Sequence, residues 1–277
     1  WEELENLFAG QWPNGMVPHI LFRKEDPDYF PGPTVWGTDD IGPIPSSGIS
    51  QPPVAATFIR AIWEKNKKQG KERAIRLLPK IKAWHRWFME WRTSPDGAIF
   101  VTHPWEAGRD NSPDWDSAIS MIRPTGIGDY TRRDTAHVDS SMRPTNADYD
   151  RYLWLVQRGK RLHWDEALLV KERPFSVADP TLTFVLLRAN KDLSLMCRAL
   201  GLPAEEIDRW CHTLELGCQS LRNPDTGYFN AINLKTGEHS GYLTNASFLC
   251  WYAGLDDKHM LAALIQSLHD NNYPIPS

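Results

Sequence analysis

Lys71-Glu72-Arg73-Ala74-Ile75-Arg76-Leu77-Leu78-Pro79-Lys80-Ile81-Lys82-Ala83-Trp84-His85-Arg86-Trp87-Phe88-Met89-Glu90-Trp91 is the stretch that decides the fold class. Ala74, Leu78, Ile81, Trp84, Phe88 and Trp91 recur every three or four positions, the spacing that lays one face of a helix on a core. Pro79 removes one backbone donor, which predicts a kink. Outward from it the same period returns. Upstream, Val54, Phe58, Ile59, Ile62 and Trp63 make a stripe over Pro53–Asn66, with Pro52 and Pro53 at the start, where a missing N–H is tolerated. Residues 1–9 read as the tail of a helix. Downstream, helices are expected near 114–121, 147–171, 178–200, 203–221, 241–254 and 256–270. Asp225-Thr226-Gly227 and Lys235-Thr236-Gly237-Glu238 read as tight turns, with a small hairpin across Tyr228–Asn233. No β-branched alternating series is long enough for a sheet core. The pattern predicts an all-α chain of eight or nine helices. Its long loops fall at 10–49, 93–113 and 122–146. Alternating short turns and long loops suit helical hairpins packed in a ring or stack with the loops at one end, and no fixed-period repeat marks a solenoid.

The 277 residues suffice for a sizeable core, as one large domain or two small ones. With 31 basic and 35 acidic residues the net charge is -4, so no basic excess points to nucleic acid or an acidic membrane. No run approaches the roughly 18 apolar residues of a transmembrane helix. No signal peptide opens the sequence, and a cytoplasmic location is expected. Four cysteines, Cys197, Cys211, Cys218 and Cys250, do not make a disulfide scaffold at this length. Cys211 and Cys218 suit two buried thiols on one helical face. No HExxH, P-loop or dinucleotide-type glycine motif is present, and neither a cofactor nor a metal is expected. The anomaly is thirteen tryptophans, which serve a core but also stack on the apolar faces of sugar rings.

Chemistry concentrates in His103-Pro104-Trp105-Glu106-Ala107-Gly108-Arg109-Asp110-Asn111-Ser112-Pro113-Asp114-Trp115-Asp116. Glu106, Arg109, Asp110, Asp114 and Asp116 fall within eleven positions, flanked by Trp105 and Trp115. Cleaving a glycosidic bond needs two carboxyl groups, one to protonate the leaving oxygen and one to activate water or attack carbon. Asp110 is the candidate proton donor. It follows Gly108-Arg109 in a turn-prone stretch, and Trp105 lowers the local polarity, which raises an acid's pKa toward the working pH. Arg109 pulls the other way if its side chain points there. The plainer reading makes Asp110 and Asn111 turn formers. Glu106 suits sugar hydroxyls or a solvated loop. Asp114 and Asp116 suit the first turn of the next helix, which Ser112 caps with Pro113 following.

A second polar cluster runs Arg132-Arg133-Asp134-Thr135-Ala136-His137-Val138-Asp139, then Arg143-Pro144-Thr145-Asn146 and Asp148-Tyr149-Asp150. It suits hydroxyl recognition or a ladder of structural salt bridges equally, with Asn146 expected to cap the next helix. His19, in Trp12-Pro13-Asn14-Gly15-Met16-Val17-Pro18-His19, either points into a pocket or ties down its own loop.

These stretches, with Tyr29-Phe30-Pro31-Gly32-Pro33, Ser50-Gln51-Pro52-Pro53 and Arg143-Pro144-Thr145, resemble glycoside hydrolase family 63, on the side of the mannosylglycerate and glucosylglycerate hydrolases. The ordered combination extends over most of the chain. The resemblance implies an (α/α)6 toroid of the six-hairpin glycosidase type, inversion at a small α-glucoside or α-mannoside, and Asp110 as general acid. It also implies that Trp36, Gln51, Trp105, Glu106 and Arg109 surround the sugar, with Tyr29 and His19 closing the site around the aglycone. The family's general base is a Glu in a C-terminal segment for which Tyr273–Ser277 offers no match, and neither Glu215 nor Glu238 sits in a matching context. The expectation is therefore a single incomplete catalytic domain over 1–277, finished by a missing segment or a second copy. A non-catalytic sugar-binding or structural relic is the alternative.

Overall fold

The computed structural model describes residues 1–24, 26, 28–134, 139 and 143–270. Pro27 of the early loop, Thr135–Val138 of the second polar cluster and Tyr273–Ser277 lie outside the described residues. Eleven α-helices are present among the described residues: α1 (Glu2–Ala9), α2 (Pro33–Trp36), α3 (Ala55–Lys65), α4 (Lys67–Trp91), α5 (Asp116–Ile119), α6 (Asn146–Arg161), α7 (Glu166–Lys171), α8 (Pro180–Ala199), α9 (Glu205–Ser220), α10 (Asn245–Tyr252) and α11 (Ala262–His269).

Helix α4 carries the periodic stretch and begins earlier than expected. The Asn66 side chain accepts from the Gln69 amide at 3.1 Å, an N-cap that recruits Lys67–Gly70 into the helix. Pro79 lies inside it. Ala74, Leu78, Ile81, Trp84 and Phe88 are buried, joined by Leu77, His85 and Trp87. Helix α3 turns its stripe differently from the expectation, with Ala55, Ala56, Ile59 and Trp63 buried and Phe58 56% exposed. Helix α8 packs against α3, α9, α10 and α4, and fifteen of its twenty residues are buried. It is buried on nearly all sides because it has neighbours on nearly all sides.

Two boundaries corrected the sequence reading. The expected helix over 147–171 is two, because His163 and Trp164 adopt positive φ (49° and 52°). Trp164 supplies the reason: its amide donates to the Gly159 carbonyl at 3.0 Å and its indole to the Trp36 carbonyl at 3.0 Å, fixing a reversal no period could show. The cap of α6 is Thr145, not Asn146: the Thr145 hydroxyl accepts from the Asp148 amide at 3.1 Å.

A small antiparallel sheet, β1 (Phe100–Val101), β2 (Val177–Ala178), β3 (Ile232–Asn233) and β4 (Glu238–His239), lies in that order. Two-residue strands leave no alternation to read. The β3–β4 hairpin turns at Lys235-Thr236-Gly237, and Arg222 bridges Phe229 around the other tight turn, so Tyr228–Asn233 is the link between two turns. The β1–β2 pairing sets Phe100 opposite Ala178. It thereby brings the start of the Trp105–Asp116 loop beside the N-terminus of α8, which is how the sheet positions the site.

Candidate active site

A cavity of about 440 Å³ opens where the early loop, the 102–116 loop and the start of α6 converge. Its walls include His19, Tyr29, Trp36, Gln51, Trp105 and Asp110, drawn together from segments far apart in the chain. Phe30, Arg133, Asp134, Arg143 and Tyr149 also face it. Of these five only Arg133 is a named candidate in the sequence, as one of four arginines open to anchor a carboxylate aglycone, although Tyr29–Pro33 and the second polar cluster flag the neighbourhoods of the others.

The Asp110 loop is built from local chemistry. His103 caps a 3-10 turn over Pro104–Ala107, its Nδ1 accepting from the Trp105 amide at 3.1 Å. Nε2 then donates to the Tyr152 carbonyl at 3.1 Å. That pair of bonds defines a neutral tautomer, and burial pushes the imidazole down to about 3. Gly108 reverses the chain at φ 66°, a left-handed conformation that only glycine adopts freely. Ser112 caps the next 3-10 turn as expected, its hydroxyl 3.4 Å from the Asp114 amide. The Tyr152 hydroxyl donates to the Asp110 carbonyl at 2.9 Å and pins the backbone, leaving the carboxyl to face the cavity.

That carboxyl is one-third exposed, and burial raises its pKa above the usual carboxylate value. The Arg143 guanidinium opposes the rise from 3.8 Å, too long for a hydrogen bond, and the negative charge of Asp134 adds to it. Arg109 does not contact Asp110 as an ion pair. It donates to Asp114 at 2.5 Å and to Asp179, the N-cap of α8, and lies 4.8 Å over the Trp115 ring. The alternative in which Arg109 depresses its neighbour is thus closed by geometry.

Two residues expected around the sugar sit elsewhere. Arg109 is 11% exposed and lies outside the 440 Å³ cavity, on an adjoining cleft that also touches Asp110. Glu106 is 2% exposed and absent from both walls. Its carboxylate accepts from the Thr102 amide at 2.7 Å and hydroxyl at 3.2 Å, and its other oxygen lies 3.7 Å from Arg92, which also binds Glu166 at 2.6 Å. The physical reason is cost: an ionised group this deep persists only when paired and hydrogen-bonded.

The remaining wall is aromatic. Trp36 is fully buried, its indole donating to the Pro31 carbonyl at 3.1 Å, and packs on Trp105 at 6.1 Å and His19 at 5.8 Å. Phe30 stacks on Tyr130 at 5.7 Å and Tyr149 at 6.4 Å, joining the early loop to α6. His19 Nδ1 lies 2.6 Å from the Ser47 hydroxyl, so it both ties its loop and lines the pocket; burial lowers its pKa to about 4, and it is neutral near pH 7. Tyr29 is 42% exposed, and burial of its hydroxyl together with the charge of Asp110 raises its pKa.

Of the second polar cluster, Arg132 grips Asp134 with two bonds, 3.0 and 2.6 Å, and Arg143 reaches the same carboxylate at 3.1 Å. Among the described residues no group of three or more His, Cys, Asp or Glu is placed to hold a metal ion. No described helix is long and apolar enough to cross a membrane.

Residues 1–277 match the mannosylglycerate hydrolase MGH1-like glycoside hydrolase domain. The chain is 42% identical, over its whole length, to mannosylglycerate hydrolase MGH2 of Selaginella moellendorffii, of which it spans 58%. It is 36% identical over 75% of its length to the glucosylglycerate hydrolase of Mycolicibacterium hassiacum, of which it spans 48%. It superposes with a TM-score of 0.92 on the crystal structure of the GH63 mannosylglycerate hydrolase from Thermus thermophilus in complex with Tris and D-glycerate, 38% identical, covering 100% of this chain and 68% of that one. The helical packing is that of the six-hairpin toroid glycosidases, the small sheet being an addition to an otherwise helical class. By sequence and fold together, the chain belongs to the MGH1-like mannosylglycerate hydrolase family of glycoside hydrolases.

Proposed function

We propose that this chain carries the proton-donating half of an inverting α-glycosidase acting on mannosylglycerate or glucosylglycerate. The observation that carries the proposal is Asp110: a partly buried carboxyl with raised proton affinity, on the wall of a cavity lined by Trp105 and Trp36. Asp110 donates to the glycosidic oxygen as the bond to the anomeric carbon breaks. Water attacks from the opposite face, activated by a second carboxylate roughly 6.5–9.5 Å away. Asp134 has the wrong character for that base, since two arginines lower its proton affinity. We assign the base to none of the described residues.

The aglycone reading rests on cation geometry. Four arginines, Arg23, Arg109, Arg132 and Arg133, are the candidates the sequence offers to anchor a glycerate carboxylate. Arg23 contacts Asn6, Arg109 is held by Asp114 and Asp179, and Arg132 by Asp134. Arg143 also bonds Asp134, but it is 31% exposed and lies on the cavity wall, 3.8 Å from Asp110, and so is better placed than any of these three. It anchors the carboxylate beside the leaving oxygen, with Arg133 on the same wall. Trp36, Gln51 and Trp105 form the sugar face, and Tyr29 and His19 the aglycone side.

Residues 1–277 form one catalytic domain in this reading, supported by an apolar cluster running from Phe8 to Leu264. Leu195, Leu216 and Leu268 are exposed apolar side chains open to cover by the rest of the ring or a second copy. Four unpaired thiols fit a reducing, cytoplasmic setting.

The test is hydrolysis of mannosylglycerate, glucosylglycerate and trehalose, with calorimetric binding of D-glycerate, for the wild type and Asp110→Asn. Once the segment or copy that supplies the base is present, turnover of a glycerate glycoside, lost in Asp110→Asn while D-glycerate still binds, is the expected result. Binding without turnover in the wild type favours the sugar-binding relic. Unchanged turnover in Asp110→Asn removes Asp110 from the mechanism.

A further inference from the structure

Arg143 presents a difficulty for the reading just given, on which this inference rests. A guanidinium free to pair with Asp110 would hold it ionised and rob it of its proton. The two groups are near enough to close a salt bridge by a small rotation, yet stand 3.8 Å apart. A neighbouring carboxylate, Asp134, competes for the same guanidinium. The Arg143 Nε donates to Asp134 Oδ2 at 3.1 Å, turning the guanidinium toward that carboxylate. Asp134 is itself immobilised by the two-pronged grip of Arg132, whose Nη1 also donates to the Pro144 carbonyl at 2.8 Å and to Asn146 Oδ1 at 3.0 Å. Arg132 further packs 4.5 Å over the Tyr149 ring, which lines the cavity. The chain Tyr149, Arg132, Asp134, Arg143 thus runs from α6 to the face of Asp110.

We propose that Asp134 is a positioning residue: it holds Arg143 in the cavity wall, close enough to anchor an anionic aglycone but off the carboxyl of Asp110. Asp134 neutralises part of the Arg143 charge and adds a like charge near Asp110. Both effects favour the protonated acid, the form a general acid needs. The other titratable groups bearing on Asp110 do not replace it. Tyr29 and Tyr152 have hydroxyls of raised pKa and are neutral near pH 7, His19 is neutral there, Arg109 is engaged with Asp114 and Asp179, and Arg133 stands on the same wall. Aspartate suits position 134 because its carboxylate must take Arg132 side-on and still present an edge to Arg143. Asparagine offers one acceptor oxygen and no charge.

The test is a carboxyl carbon NMR titration of the chain, with the Asp110 resonance assigned by its loss in Asp110→Asn. It reads proton affinity without turnover, so it stays informative, and fails separately from the hydrolase reading, whether or not the chain turns over substrate. In Asp134→Asn the Asp110 midpoint falls by about one pH unit as Arg143 closes on it. In Arg143→Gln the midpoint rises. In Asp134→Asn/Arg143→Gln it stays near that of Arg143→Gln, because Asp134 acts chiefly through Arg143. Asp134→Glu restores part of the wild-type midpoint. Should Asp134→Asn fail to fold by circular dichroism, Arg143→Gln and Asp134→Glu still decide. A midpoint unmoved in folded Asp134→Asn, an equal drop with and without Arg143, or no rise in Arg143→Gln overturns the proposal.

Discussion

Asp110 and the pair Glu106 and Arg109 stand within five positions of one another and have opposite lives. Glu106 and Arg109 are buried: Glu106 accepts two hydrogen bonds from Thr102 and lies 3.7 Å from Arg92, and Arg109 is held between Asp114 and Asp179. They fasten the loop to α4 and α8. Asp110 is one-third exposed, with its backbone fixed and its carboxyl in a loose ion pair with Arg143 at 3.8 Å. An ionisable group buried among opposite charges serves the fold. One that is half-buried and underpaired keeps its proton equilibrium, with a shifted pKa that chemistry can use. The loop is therefore two devices in one segment, a buried clamp and a proton donor held out by it.

The sharpest break of this comparison is at Asp110 itself. Asp110→Asn should lower turnover of a glycerate glycoside by about 10²–10⁴-fold, the usual contribution of a general acid, with the melting temperature of the wild type retained. A large loss of melting temperature would move Asp110 into the clamp. Arg109→Met should do the reverse. It leaves Asp114 and Asp179 facing each other without their cation and should destabilise the fold by about 3–5 kcal/mol in urea titration. A variant as stable as the wild type would show the clamp to be ornamental. Glu106→Gln keeps the shape but removes the charge beside Arg92, and an intermediate loss of about 1–3 kcal/mol is expected, with D-glycerate binding unchanged. Weakened binding at full stability would return Glu106 to the sugar site.

The smallest effect is a slope. Buried His103 titrates at about 3 in the folded state against 6.5 unfolded. The unfolded chain then binds the extra proton as pH falls below 6.5, so this contribution to stability is complete above that value and is lost toward pH 3. Between about pH 6 and 4.5 the wild type should lose stability more steeply than His103→Gln, by about 1.4 kcal/mol per pH unit. Equal slopes would mean that His103 is protonated in the fold and that its tautomer assignment fails.

Much of the architecture was legible because apolar period survives translation into structure. The face of α4 was read almost residue by residue, and the helices at 178–200 and 203–221 are α8 and α9 to within two residues at each end. The small sheet was not legible, since two-residue strands carry no pattern and are held by partners distant in the chain. The break at His163 and Trp164 was hidden for a related reason: it depends on the Trp36 carbonyl, 128 positions away.

At the site the same division holds. By itself the sequence determined the residue types and part of their local geometry: a turn-prone stretch at Gly108-Arg109, a cap at Ser112, and an acid at Asp110 in a tryptophan-rich setting. Motif order was enough to indicate the family. Tertiary structure alone decided which charges meet. It buried Glu106 against Arg92, drew Arg109 away to Asp114 and Asp179, and set Asp134 between Arg132 and Arg143. The physical reason is that local conformation follows from steric and hydrogen-bonding terms within a few residues, whereas the character of a charge depends on burial and on partners that folding alone brings within reach.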